Sequence, residues 1–85
     1  MSTKTNWFVY ILHCADNTLY TGITTDIARR LHQHNHTKIG AKYTRVRRPV
    51  NLVYQEQCEN RSAAAKREYQ LKQLSRDEKI NLIKT

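Results

Sequence analysis

The stretch Trp7-Phe8-Val9-Tyr10-Ile11-Leu12-His13-Cys14-Ala15-Asp16-Asn17-Thr18-Leu19-Tyr20-Thr21-Gly22-Ile23-Thr24 decides the fold. Two runs of strand-forming residues flank a turn at Asp16-Asn17, so the stretch reads as a β-hairpin. Residues 7–14 are aromatic and β-branched on both parities, as expected of a strand covered on both faces. Residues 19–24 form its antiparallel partner. A two-residue loop would pair Ala15 with Thr18 and place Tyr10 and Tyr20 on opposite faces. A three-residue loop, Ala15-Asp16-Asn17, needs a left-handed residue at its end, which asparagine tolerates. It pairs Cys14 with Thr18, Leu12 with Tyr20 and Tyr10 with Gly22, and this is the register predicted. Both phenols then share one face, with open space at Gly22 opposite Tyr10. A buried phenol needs a partner for its hydroxyl, so two on one sheet invite a chemical explanation.

Outward from the hairpin, residues 26–35 read as a helix with Ile27, Ala28 and Leu31 on its apolar side and Thr25 or Asp26 as cap. Residues 37–48 are polar, basic and glycine-bearing, which predicts a loop or a short irregular helix. Residues 50–54 are rich in strand formers, and Pro49 suits a strand's first residue. Asn60 or Ser62 can cap a helix running through Ala63 to Leu74. Ser75-Arg76-Asp77-Glu78 matches a capping box that starts a last helix, with Ile80, Leu82 and Ile83 apolar. The order β-β-α-β-α-α predicts an α+β fold, a small three-stranded antiparallel sheet flanked by helices.

At 85 residues the chain is one domain. Residues 1–6 are polar and expected to be a flexible N-terminus, with residues 7–85 as the domain. Against 15 Lys and Arg stand 7 Asp and Glu, giving a net charge of +8. Such an excess attracts polyanions, nucleic acid above all. Cys14 and Cys58 are isolated thiols, a poor disulfide framework that fits a reducing cytosol. The apolar run from Trp7 to Leu12 is far too short to span a membrane. A cytoplasmic protein with no membrane partner is expected.

Several polar residues occupy places where apolar ones belong. Arg30 and His34 lie about 40° apart on the helix, and His34 projects between Ile27 and Leu31. A histidine in an apolar stripe must find a hydrogen-bond partner or line a cleft. Alone, His34 reads as structural, satisfied by a backbone carbonyl, and Arg30 as a solvated or snorkelling side chain. Glu68 shares a helix side with Ala64 and Leu71. It reads as the ion-pair partner of Arg67 or Lys72, or as an oxygen ligand for a hard divalent cation. His32, His34 and His36 alternate, so i, i+2 neighbours point about 200° apart and cannot share one ion; no zinc is expected. Lys38, Lys42, Arg45, Arg47 and Arg48 cluster around Tyr43, a pattern suited to a phosphate backbone.

Together these residues resemble the GIY-YIG nuclease family, and most of all its small stand-alone bacterial members. Phe8-Val9-Tyr10 stands at the first triplet, with Phe8 for the family glycine and Val9 for its isoleucine. Tyr20-Thr21-Gly22 stands at the second. The run from Gly22 to Leu31 carries what resembles the family arginine at Arg30, with His34 one turn later. Tyr43 lies where members carry a further His or Tyr, and Glu68 resembles the metal-binding glutamate. The resemblance covers residues 7–84.

The resemblance implies hydrolysis of phosphodiester bonds in nucleic acid, DNA ahead of RNA, with one divalent ion, Mg²⁺ or Mn²⁺, and a role in repair or recombination. Under it, Glu68 anchors the metal and Arg30 binds the phosphoryl group. Tyr10 is the general base, its pKa lowered by nearby cations. Tyr20 orients water or phosphate, His34 holds Tyr10 or passes on its proton, and Tyr43 contacts the phosphate. Two alternatives stand beside it. One is a basic module that binds nucleic acid through residues 38–48 without cutting it. The other is a protein-interaction domain using exposed Leu82 and Ile83. Oligomeric state is open.

Overall fold

The hairpin closes as its turn chemistry dictates. Cys14 N donates to Thr18 O at 2.9 Å, and Asn17 takes the left-handed conformation at φ 68°. The Asp16 carboxylate secures the turn by accepting from the Thr18 amide at 3.2 Å and hydroxyl at 2.6 Å. Tyr10 faces Gly22 and Leu12 faces Tyr20, the register of the three-residue loop.

The computed structural model describes residues 6–84, and the expected flexible segment at residues 1–6 lies, apart from Asn6, outside them. The described residues form β1 (Trp7–His13), β2 (Leu19–Thr24), α1 (Ile27–His36), α2 (Lys42–Arg45), β3 (Asn51–Cys58), α3 (Arg61–Lys72) and α4 (Arg76–Lys84). All strand pairs are antiparallel, in the order β2-β1-β3. β1 takes the centre because both of its parities are apolar and each finds a cover. Tyr10, Leu12 and Cys14 point towards Ile27 and Leu31 of α1, with Val50 and Leu52. Val9 and Ile11 point the other way, against Leu71 of α3, Leu74, and Leu82 and Ile83 of α4. The result is an α+β fold with helices on both faces of the sheet.

Three details differ from the sequence reading. β3 runs to Cys58, past the expected strand, because an edge strand tolerates Gln55, Glu56 and Gln57. Its imperfect alternation is a bulge: Ile11 pairs with Tyr54 and Leu12 with Leu52, so Val53 is the extra residue. Val53 and Tyr54 therefore both pack on the α3–α4 side. Finally, Leu82 and Ile83 are half-buried on that cluster, which corrects the expectation that they are exposed for a partner.

Helix ends follow local rules. Asp26 caps α1 by accepting from Arg29 N at 3.0 Å, and Asn60 caps α3 by accepting from Ala63 N at 2.8 Å. Ser75 and Glu78 complete their capping box at 3.2 and 2.8 Å. The C-terminal carbonyls of α1 have a less local solution. The Arg48 guanidinium donates to Gln33, His34 and Thr37 oxygens, satisfying acceptors that a helix end leaves unpaired.

Gly22 is required for space rather than for backbone conformation, since its φ is not positive. A Cβ there would stand 2.5 Å from Tyr10 Oη and 2.7 Å from Cζ. Gly22→Ala is expected to push the Tyr10 ring off its seat and cost about 1–3 kcal/mol, read as a lower urea midpoint at unchanged m-value.

Candidate active site

Tyr10 leaves β1 on the α1 side, and its hydroxyl meets His34 Nε2 at 2.8 Å. The other ring nitrogen, Nδ1, lies 2.7 Å from Thr44 Oγ1 on α2, and that hydroxyl donates to Ala41 O at 2.9 Å. His34 and Thr44 are fully buried. The histidine is thus satisfied by two hydroxyls, not by the backbone carbonyl that its position alone suggested. Tyr20 sets its ring edge-on to His34 at 5.3 Å between centroids. Tyr43 stacks on Tyr20 at 5.7 Å, and the Arg47 guanidinium caps Tyr43 at 3.9 Å. Both phenols therefore serve one face of the sheet, as the register requires.

Burial governs the protonation of the central pair. It pulls the His34 pKa down to about 4, with help from the Arg30 and Arg48 charges. It also pushes the Tyr10 phenol up to about 12. Arg30 opposes that rise through its hydrogen-bonding approach and charge, while the Tyr20 and Glu68 charges add to it. The expectation that cations lower the Tyr10 pKa is corrected here: desolvation outweighs Arg30. Arg30 itself donates to Gln33 Oε1 and Ile39 O, both at 2.9 Å. Glu68 pairs with Lys72 at 3.4 Å, and Arg67 turns instead to Glu56 at 3.1 Å.

The basic cluster divides in two. Lys38, Lys42 and Arg45 are exposed. Arg47 is half-buried, pairing with Asp16 of the hairpin turn at 2.8 Å while covering Tyr43. Arg48 serves the end of α1. Among the described residues no group of three or more His, Cys, Asp or Glu side chains could hold a metal ion. His32 and His36, one turn apart, meet each other outside the site at 4.8 Å between centroids. Both cysteines are free, and no helix among the described residues is long and apolar enough to cross a membrane.

The sequence profile of the GIY-YIG catalytic domain matches residues 6–81. The chain belongs to the GIY-YIG family. It is 64% identical over 78 residues to a UPF0213 protein of Desulfotalea psychrophila, covering 92% of this chain and 71% of that one. With a UPF0213 protein of Staphylococcus aureus it shares 54% identity over 77 residues, 91% of this chain and 93% of the other. The solution structure of a UPF0213 protein from Bacillus halodurans is similar at TM-score 0.59 and 44% identity, covering 93% of this chain and 83% of that one. An E. faecalis protein structure is similar at TM-score 0.64 and 43% identity, covering 99% and 88%. The GIY-YIG fold and the nuclease class of the domain follow.

Two features of this GIY-YIG domain escaped the sequence. Thr44 is an ordinary residue of a four-residue helix, and nothing in its neighbours announces a histidine partner ten positions away. Asn35 likewise brackets Val50, donating to its carbonyl at 3.0 Å and accepting from its amide at 2.8 Å. That pair fixes α1 against the start of β3.

A pH dependence follows from His34, which faces Tyr10, Tyr20, Thr44 and the Arg30 and Arg48 charges. Its folded pKa near 4 lies below the usual value of 6.5, so the unfolded chain takes the proton first. The stability it contributes is present above about pH 6.5 and is lost as pH falls towards 4. Urea melts should lose up to about 1.4 kcal/mol per pH unit in that window. His34→Gln should flatten that part of the slope.

Proposed function

We propose that this GIY-YIG domain is a divalent-metal-dependent endonuclease that hydrolyses phosphodiester bonds in DNA. The observation that carries the reading is the seat of Tyr10: its hydroxyl lies between Gly22 and His34, under the charges of both Arg30 and Glu68. Arg30 and Glu68, whose charges bear on the Tyr10 phenol in opposite senses, would supply the phosphoryl-binding cation and the metal-binding carboxylate. Lys38, Lys42 and Arg45 are exposed, the last two on the helix that carries Thr44, and suit a DNA backbone. Tyr43, stacked on Tyr20, would contact a phosphate.

Glu68 would hold the ion. A single half-buried carboxylate fits Mg²⁺ or Mn²⁺, which take one or two carboxylates and complete their shells with water and substrate phosphate oxygens. Bound there, the ion would neutralise charge on the phosphoryl group. The chain's own residues do the rest. Arg30 exchanges its bonds to Gln33 and Ile39 for the phosphoryl oxygens, where its charge counts most as negative charge shifts. His34 holds Tyr10 and receives its hydroxyl proton, the phenolate so formed takes a proton from the attacking water, and Tyr20 orients that water or the phosphate. A cytoplasmic role in DNA repair or recombination is the setting we infer, with residues 7–85 acting as one domain.

One observation favours the rival reading, a basic module that binds nucleic acid without cutting it. A phenol pushed up to about 12 is a poor base at neutral pH. Incubation of the protein with DNA and Mg²⁺ or Mn²⁺ separates the two. Strand breaks that fall at least about 100-fold in Glu68→Ala and in Tyr10→Phe are expected. Salt-sensitive binding without breaks would establish the module, and equal cutting by wild type and Glu68→Ala would remove the metal role.

A further inference from the structure

We propose that Thr44 is a positioning residue that fixes the proton of His34 on Nδ1, so that Nε2 is the acceptor for the Tyr10 hydroxyl proton. The proposal rests on the nuclease reading for its catalytic consequence, but the tautomer itself is a property of the resting protein.

The chain of contacts has one direction. Ala41 O carries no proton, and Thr44 Oγ1 lies 2.9 Å from it. Ala41 O also accepts the Thr44 and Arg45 amides at 3.1 Å. Two oxygens facing each other at 2.9 Å nevertheless repel unless a proton lies between them, and only the threonine can supply it. The hydroxyl therefore turns a lone pair, not its proton, towards His34 Nδ1 at 2.7 Å. Nδ1 must then be the N–H nitrogen. A neutral imidazole has one such proton, and burial keeps this ring neutral. Nε2 is left with its lone pair, 2.8 Å from Tyr10 Oη, so the phenol donates. The sequence Tyr10 O–H to His34 Nε2, His34 Nδ1–H to Thr44 Oγ1, Thr44 O–H to Ala41 O satisfies every group.

The opposite tautomer would place an N–H against the phenol oxygen and turn Tyr10 into an acceptor. A phenol that passes its proton to His34 can take another from water. A phenol that accepts from His34 has its O–H directed elsewhere and cannot hand its proton to that nitrogen. Thr44, which touches neither water nor phosphate in this scheme, thereby decides the direction of proton flow at Tyr10.

Nitrogen-edited NMR of the His34 ring tests the assignment. Wild type is expected to show a neutral ring protonated on Nδ1. Thr44→Ser should keep that pattern, and Thr44→Val should move the proton to Nε2 or give a mixture. With Mn²⁺ and duplex DNA, the valine variant should lower kcat about 10- to 100-fold at similar KM, with serine restoring it. A wild-type ring protonated on Nε2 would overturn the proposal even if the valine variant failed to fold. So would a Thr44→Val ring still protonated on Nδ1. The expected spectra in a protein that cuts no DNA would uphold the tautomer while the nuclease reading failed.

Discussion

The hydrogen bond between Tyr10 Oη and His34 Nε2 sits at 2.8 Å in the layer between β1 and α1, and much of the domain is arranged around it. Two polar groups there would each carry a desolvation cost if left single. Paired, they let a phenol and an imidazole occupy core positions that leucines would otherwise fill. The pairing makes demands on its surroundings. Gly22 must have no side chain, because the phenol already occupies the space a Cβ would need. α1 must hold its position relative to the sheet, and Asn35 on Val50 and Arg48 on the last carbonyls of α1 do so. α2 must present Thr44 to the far ring nitrogen.

The same burial sets the electrostatic character of the site. It keeps the imidazole neutral and the phenol protonated, and the two nearby guanidiniums reinforce the first effect while Arg30 only partly offsets the second. The resting pair is uncharged in a strongly basic protein. The excess charge is handled by giving some cations structural work. Arg47 is neutralised by Asp16 and rests on the Tyr43 ring, and Arg48 is spread over helix carbonyls. Lys38 after α1, and Lys42 and Arg45 on α2, stay exposed, leaving a positive field there.

Glu68 stands apart from this network in kind. Its carboxylate is held by Lys72 on its own helix, yet its charge reaches the Tyr10 phenol from the helix layer of the other sheet face. In the proposed site, α1 would supply the imidazole and guanidinium and α3, on the other sheet face, the carboxylate. Phe8, standing where the family has glycine, pairs with Thr24, two positions along β1 from the Tyr10–Gly22 pair.

Sequence alone determined the elements whose causes are local. The hairpin register came from a three-residue turn ending in Asn17, the helix starts from Asp26, Asn60 and the Ser75–Glu78 box, and the central place of β1 from its two apolar parities. Tyr10, Tyr20, Arg30, His34 and Glu68 could be singled out because each breaks an apolar pattern. Tertiary structure decided what those side chains meet. Thr44 as the partner of His34, the withdrawal of Arg47 and Arg48 into the fold, and the rise of the Tyr10 pKa depend on separations of ten to fifteen residues or more closing in space. Desolvation is set by everything packed around an atom, and a linear pattern does not record that.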